Sequence, residues 1–339
     1  MRFGRGVVTI PGALLCMGSA PCVAQELSAQ ERYAFESVHM GTTFRIIAYA
    51  DAEDRARAAA NEAFFHAARL DSLFSDYRPD SEVSRLVTRS ESSGCVVISP
   101  ELWALLLEAQ GWSQRTGGLF DVTVGPMSRL WRWSSRRGQL PPPERLHAAR
   151  GAVGHDGLTV DPVEPCVAFE RPGMALDLGG IAKGFAADAM LGILTRHGIS
   201  AALVDAGGDI VTSAAPPSSP GWLVTLPGGD SLRIANAAVA TSGDIERHVT
   251  VDGVRYAHIV DPRTGLGVID APTVTVVAPV ATAADVLASA LTIMSPSDGR
   301  RLVDRISGVW ARSRGNPDWT AGSLPMQTGA DQAGSPPHR

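Results

Sequence analysis

Asp177-Leu178-Gly179-Gly180-Ile181-Ala182-Lys183-Gly184 is the stretch on which the reading of this chain turns. Apolar residues precede it, and an amphipathic run from Ile181 to about His197 follows and stops at Gly198. The stretch is therefore expected to join a strand ending near Asp177 to a helix. Paired glycines let backbone N–H groups approach an anion, and a helix N-terminus adds positive partial charge at the same place. A strand-to-helix turn that merely needs glycine for its angle leaves the same trace. Lys183 separates the readings, because it is the only lysine in 339 residues. A solvated surface position takes arginine as readily as lysine. A compact ammonium held against a phosphate is not replaceable by a planar guanidinium. The stretch is accordingly read as a phosphate or pyrophosphate site.

Working towards the C-terminus, an expected strand from Ala201 to Asp205 leads into Asp205-Ala206-Gly207-Gly208-Asp209, a second glycine turn. It offers more backbone donors, although Gly-Gly-Asp is also a common tight turn. Pro216 to Pro220 marks a turn between strands, with further strands expected at Gly221 to Leu226 and Thr273 to Ala278. Thr241-Ser242-Gly243-Asp244 and a hairpin at Val251-Asp252-Gly253 come between them. His258 stands just before the Asp261-Pro262 turn; histidine suits proton transfer near neutral pH, and it equally suits bonding to a turn backbone. The last long helix is expected over Ala283 to Met294. Thr282-x-x-Asp285 there has the spacing of a capping box. Asp285 and Ser289 also share one helical face, a partial oxygen set for a hard cation such as magnesium. Spacing alone does not choose between capping and metal binding.

Towards the N-terminus, Thr43 to Tyr49 has strand composition. From about Ala52 to Phe74 a helix places Ala59, Ala63, Ala67, Leu70 and Phe74 on one face. Ser99-Pro100-Glu101 starts another helix, which Gly117-Gly118 ends. Trp133 to Pro165, rich in glycine and proline, reads as a surface excursion with short elements. Met40 and Tyr77 are residues able to pack on a flat ring, and both types also occur as ordinary packing. The mixture predicts an α+β protein with substantial antiparallel sheet.

Composition bounds the possibilities. With 45% hydrophobic and 19% charged residues the chain is globular, and its 30 basic and 35 acidic residues form no long run of either sign. No nucleic-acid footprint is indicated. Arg2 and Arg5, the apolar stretch Val7 to Met17, and Ser19 to Ala24 follow the order of a secretory signal peptide over residues 1–24. The apolar stretch, broken by Pro11, falls short of the roughly 20 residues a spanning helix needs, so no stable membrane span is expected. Leu15 and Pro21, not small residues, precede Cys16 and Cys22, which argues against a lipid anchor and for a soluble periplasmic product. Cleavage leaves Cys95 and Cys166, either as one disulfide or as two buried thiols. Residues 25–324 form the expected domain, and the polar 325–339 segment reads as a disordered tail.

Taken in order, Met40-Gly41-Thr42, Ser75 to Glu82, Gly118 to Pro126, Asp177 to Gly184, Gly207-Gly208-Asp209, Thr241-Ser242-Gly243, His258 to Gly265 and Asp285 to Ser289 resemble the ApbE family of FAD:protein FMN transferases. The resemblance implies antiparallel and mixed sheets packed with helices around a central FAD cleft. It implies FAD contacts from Met40, Tyr77, Leu119, Phe120, Asp121, Asp177, Lys183, Gly207, Gly208, Ser242 and near Ile259. It implies a metal, Mg2+, on Asp285, Ser289 and the carbonyl near Gly180. Family members usually carry threonine where Ser289 stands, and some carry a second aspartate where Ala288 stands. Catalytic roles fall to Lys183, Asp285 and His258, with Asp261 or Asp244 as alternative bases. The implied partner is an exported subunit of an electron-transport complex bearing a threonine or serine acceptor. An FAD pyrophosphatase and a non-enzymatic flavin-binding protein are the competing functions.

Overall fold

Residues 30–89, 94–243 and 248–324 are described by a computed structural model; the expected signal peptide and polar tail lie outside these residues. Strand β1 (Glu31–His39) turns through Met40-Gly41, both at positive φ (49° and 74°), into β2 (Thr42–Ala50). Alternation in β2 buries Phe44, Ile46 and Ala48 on one face. Against that face packs α1 (Glu53–Phe74), whose Ala59, Ala63, Ala67, Leu70 and Phe74 are buried as its periodicity predicts.

Next come α2 (Glu82–Arg89), β3 (Val96–Val97) and α3 (Pro100–Arg115), the last capped by Ser99 Oγ accepting from Leu102 N at 3.3 Å. The excursion beyond contains α4 (Gly125–Ser135), α5 (Pro143–Gly151), β4 (Leu158–Val160) and β5 (Cys166–Phe169). Then α6 (Ala182–Arg196) leads into β6 (Ala201–Ala206), β7 (Ile210–Thr212), β8 (Trp222–Thr225), β9 (Ser231–Ile234) and β10 (Ala237–Ser242). The chain continues through β11 (His248–Val251), β12 (Val254–Val260), β13 (Gly267–Ile269) and β14 (Thr273–Ala278). It closes with α7 (Ala281–Ile293), α8 (Pro296–Val303), β15 (Trp310–Arg314) and β16 (Trp319–Gly322).

One eight-stranded sheet, in the order β1-β2-β6-β7-β10-β14-β15-β16, organises the molecule, and its ladders are all antiparallel. Helices α1, α6 and α7 cover one face over the main core. The β8–β9 hairpin covers part of the other, where Trp222 and Val224 meet Leu203, Val239 and Val277. A three-stranded sheet, β11-β12-β13, carries its own small core against α4, with Trp131 and Tyr256 ring centroids 5.4 Å apart. This is the α+β class the sequence implies. One expected strand is absent: before Asp177 the chain makes a single isolated parallel bridge, Val124 to Ala175. Asp177 N donates to Val122 O at 2.8 Å, so the segment is pinned by a loop instead of a ladder. Cys95 and Cys166 form a disulfide, with Cα atoms 5.5 Å apart.

Candidate active site

The start of α6 and the start of α7 pack face to face. A Cβ at Gly184 would come within 2.5 Å of Ala281 O, so only glycine permits the approach. The helices then cap each other. Asp188, from α6, accepts from Ala281 N, Thr282 N and Thr282 Oγ1 at 2.8, 2.8 and 2.6 Å. Asp285, from α7, accepts from Gly184 N at 3.2 Å. The capping-box reading of Thr282 and Asp285 is thereby corrected: the cap of α7 comes from Asp188 on the neighbouring helix, and Asp285 is turned outward from its own helix end towards α6.

Lys183 lies in the first turn of α6 and its Nζ donates to Asp209 Oδ2 at 2.5 Å and to Asp285 Oδ2 at 3.4 Å. Asp209 is only 5% exposed and Asp285 only 3%. Burial opposes the charge of Lys183, but Asp285 and Asp209 outweigh it and hold the ammonium far above its ordinary pKa. Linkage follows that sign: the stabilisation is full below the unfolded-state pKa and disappears only as pH rises through the still higher folded value. Burial first, and the charge of Asp285 second, raise the Asp209 carboxyl above the usual range against the pull of Lys183.

One turn along α7 from Asp285, Ser289 Oγ lies 3.4 Å from Ser242 Oγ. A Cβ built on Gly180 would sit 3.4 Å from both Ser289 Oγ and a ring carbon of Phe120. Gly180, Lys183, Ser242, Asp285, Ser289 and Phe120 therefore meet in one place, as the sequence reading asks. Among the described residues no three His, Cys, Asp or Glu side chains gather as a ligand cluster. A cation here would rest on one carboxylate with hydroxyl and main-chain oxygens, an all-oxygen donor set suited to a hard ion that keeps other ligands from solvent or phosphate.

The second glycine turn joins β6 to β7. Gly207 has φ 68°, and a Cβ there would fall 2.4 Å from Thr42 Oγ1, so the turn is pressed against the start of β2, beside the Met40-Gly41 turn. Gly208 N donates to Asp205 Oδ1 at 2.8 Å. Met40, Gly207 and Gly208 thus share one end of the main sheet.

A further group surrounds Asp177. Its Oδ1 accepts from Gly179 N at 2.9 Å, and its Oδ2 lies 3.8 Å from Arg132 Nη1. Arg132, on α4, also donates to Asp76, and its guanidinium carbon sits 4.4 Å from the centroid of the Tyr77 ring. Sequence reading missed Arg132, because it assigned no helix to Gly125–Ser135, and quoted Asp76 only within the stretch Ser75 to Glu82 without giving it a role. Pro126 near a helix start was the available signal.

Asp121 is engaged by its own neighbourhood: Oδ1 accepts from Thr123 N and Oγ1, and Oδ2 accepts from His155 N at 2.8 Å. Burial raises its carboxyl above the ordinary value. It shapes the floor of a cleft of about 300 Å³ whose walls include Gly118, Met127, His155, Pro262 and Arg263. Leu119 is half-buried beside it. The β12 strand brings the half-buried Ile259 and the exposed His258 towards the Asp261 turn. Asp261 itself is held by Arg263, Nη2 to Oδ2 at 2.8 Å. Asp244 lies outside the described residues.

This grouping of a lone ammonium, two glycine turns and paired helix starts lies inside the span of a known family. The model of the ApbE family matches residues 40–312. The chain belongs to the ApbE family. The chain is 32% identical over 325 residues to a FAD:protein FMN transferase of Treponema pallidum, covering 88% of each protein. With a FAD:protein FMN transferase of Chlamydia muridarum it shares 32% over 247 residues, 71% of this chain and 77% of the relative. In three dimensions it is similar to the flavin transferase ApbE from Vibrio cholerae, with TM-score 0.77 and 27% identity over 87% of this chain and 98% of the other. The ApbE match runs from the Met40 turn to β15, so it takes in every site residue named above.

Proposed function

We propose that this protein transfers the FMN half of FAD to a hydroxyl side chain of another protein, with release of AMP. The observation that carries the proposal is Lys183: an ammonium in the first turn of a helix, clamped by two buried carboxylates, one of them Asp209 at the end of the second glycine turn. The family's FAD:protein FMN transferases supply the reaction class.

In the proposed reaction the acceptor oxygen attacks the FMN-side phosphorus and a new phosphoester P–O bond forms. The bond from that phosphorus to the bridging oxygen breaks, and AMP carries the bridging oxygen away. Lys183 places positive charge against the pyrophosphate, where negative charge grows in the transition state. The start of α6 adds the positive end of its helix dipole in the same place. Asp285, Ser289 and the Gly180 carbonyl would hold Mg2+, which supplies further positive charge to phosphate oxygens when bound. Asp209 and Asp285 keep the ammonium fixed. His258 is assigned the acceptor proton. Tyr77, Met40, Leu119, Phe120 and Ile259 supply apolar surface for the flavin and adenine rings. Asp121 and Asp177 brace the loops on either side, Gly207 offers its amide in a turn shaped by the Gly208 amide bond to Asp205, and Ser242 orients the Ser289 hydroxyl.

Secretion to the periplasm, with a redox subunit carrying threonine or serine as acceptor, completes the proposal. The Cys95–Cys166 disulfide supports an oxidising compartment. Among the described residues no helix is long and apolar enough to cross a membrane.

Incubating the purified protein with FAD, Mg2+ and candidate acceptor domains tests the reading. Transfer makes the acceptor fluorescent after denaturing electrophoresis, whereas a pyrophosphatase releases free FMN and a binding protein leaves FAD intact. Either of the last two outcomes with every plausible acceptor overturns the proposal. A His258→Ala protein that flavinylates at the normal rate removes the proton-transfer role.

A further inference from the structure

Tyr77 is 70% exposed, an unusual position for a ring expected to form one wall of a binding cleft. Among the described contacts, what fixes it is Arg132. The Arg132 side chain, from α4, bonds Asp76, the residue before Tyr77, while its guanidinium lies over the Tyr77 ring, 4.4 Å from the centroid. Its other amine reaches Asp177, whose opposite oxygen holds Gly179 N in the phosphate turn. Arg132 and Asp177 together span from the aromatic residue to the glycine pair.

The charges explain why an arginine is needed. Asp76 is 6% exposed at its side chain and Asp177 is 18% exposed. Burial first, and the nearby Asp177 charge second, raise the Asp76 carboxyl, while Arg132 pulls it down. Two carboxylates close together need a shared cation, and only a planar, forked one can bridge both and still stack on a ring. A lysine at this place would satisfy one carboxylate and present no flat surface.

We propose that Arg132 is a positioning residue for FAD: it sets the plane of the Tyr77 ring and couples that ring to the phosphate turn. This rests on the proposal that the cleft takes FAD. Arg132 acts on one face of Tyr77, leaving the other for a planar ring of the substrate. Its loss lowers affinity for FAD through Tyr77, without slowing the transfer step at saturating FAD.

A double-mutant cycle on the full-length mature protein tests this, reading the FAD dissociation constant by quenching of flavin fluorescence and kcat by acceptor labelling. Tyr77→Ala, Arg132→Gln, Arg132→Lys and the Tyr77→Ala/Arg132→Gln pair are compared, with thermal melts to confirm folding. Arg132→Gln is expected to weaken FAD binding about fivefold. Arg132→Lys, which keeps the charge and the fold but not the stacked plane, should weaken it nearly as much. Adding Arg132→Gln to Tyr77→Ala should change binding by less than about twofold. Additive losses in the pair, or full affinity in Arg132→Lys, overturn the inference while leaving the transferase reading intact. Failure of the unmutated protein to bind FAD at all overturns both.

Discussion

The two ends of the proposed FAD site are built differently. At the phosphate end, Lys183, Asp209 and Asp285 stand on element ends over the main core, and both carboxylates are nearly sealed from solvent. At the ring end, Tyr77 is mostly exposed on a loop and is steadied from one side by Arg132. A group that stabilises a transition state must be in place before charge develops, in a low-dielectric setting where its field is strong. A group that recognises a flat ring can be positioned more loosely, since stacking tolerates small displacements. Substitutions at the buried end should therefore act on kcat, and those at the exposed end on KM for FAD.

The largest effect is expected at Lys183. Lys183→Met leaves Asp209 and Asp285 as uncompensated buried charges, and breaking such a pair from one side costs about 3–5 kcal/mol. Transfer should fall by at least ~1,000-fold, read from acceptor fluorescence over time. Lys183→Arg separates stability from chemistry: it keeps the charge, should melt closer to the unmutated protein, and should still lose ~100-fold in kcat because a guanidinium cannot take the same compact position. Unimpaired transfer by Lys183→Arg would falsify the reading of the lone lysine. Asp285→Asn comes next, with kcat down about 100-fold and the magnesium requirement shifted to higher concentration. If Asp285→Asn changes KM for FAD alone, the contrast between the two ends fails.

At the ring end, Tyr77→Ala should raise KM for FAD about five- to tenfold with kcat within about twofold. That asymmetry with Lys183 is also an asymmetry in what the sequence made legible. Helix α1 was readable because its apolar residues recur at helix period, α3 and α6 through their start and stop residues, and β2, β6 and β14 as short stretches of strand composition. The Lys183 end stood out in the sequence because glycine pairs and a single lysine are compositional signals that survive without a structure. The ring end was hidden for a physical reason: Arg132 looks like any surface arginine, and its meaning comes from Asp76 and Asp177, 56 and 45 positions away in the chain. Similarly, β1 and β15 alternate in burial, but the more buried face carries Tyr33, Phe35 and Ser37 in β1 and Ala311 and Ser313 in β15, with Arg312 and Arg314 of β15 paired to Asp230, so a mixture of residue types hides the period in the sequence. Thr282 and Asp285 mimicked a local cap because spacing within one helix cannot reveal that Asp188 on another helix does the capping.

The smallest effect on transfer is expected from the disulfide, although it should matter for stability. Cys95 precedes β3 and Cys166 begins β5, so the bond closes a loop with a sequence separation of 71. Constraining an unfolded chain over such a loop contributes about 2–4 kcal/mol. Opening it does not dismantle the neighbourhood, because Ile98 N still donates to Pro165 O at 2.9 Å and Glu82 still accepts from Ser99 N and Oγ at 2.7 and 2.6 Å. Those bonds hold the start of α3 against α2. Tyr77 meanwhile is steadied through Arg132 on α4, not through β3. Cys95→Ser/Cys166→Ser should accordingly melt several degrees lower while KM for FAD and kcat each stay within about twofold at 25 °C. A rise in KM comparable with that of Tyr77→Ala would mean that the disulfide-bonded sheet also positions the ring wall, and the exposed end would then rest on two supports, with Arg132 as only one of them.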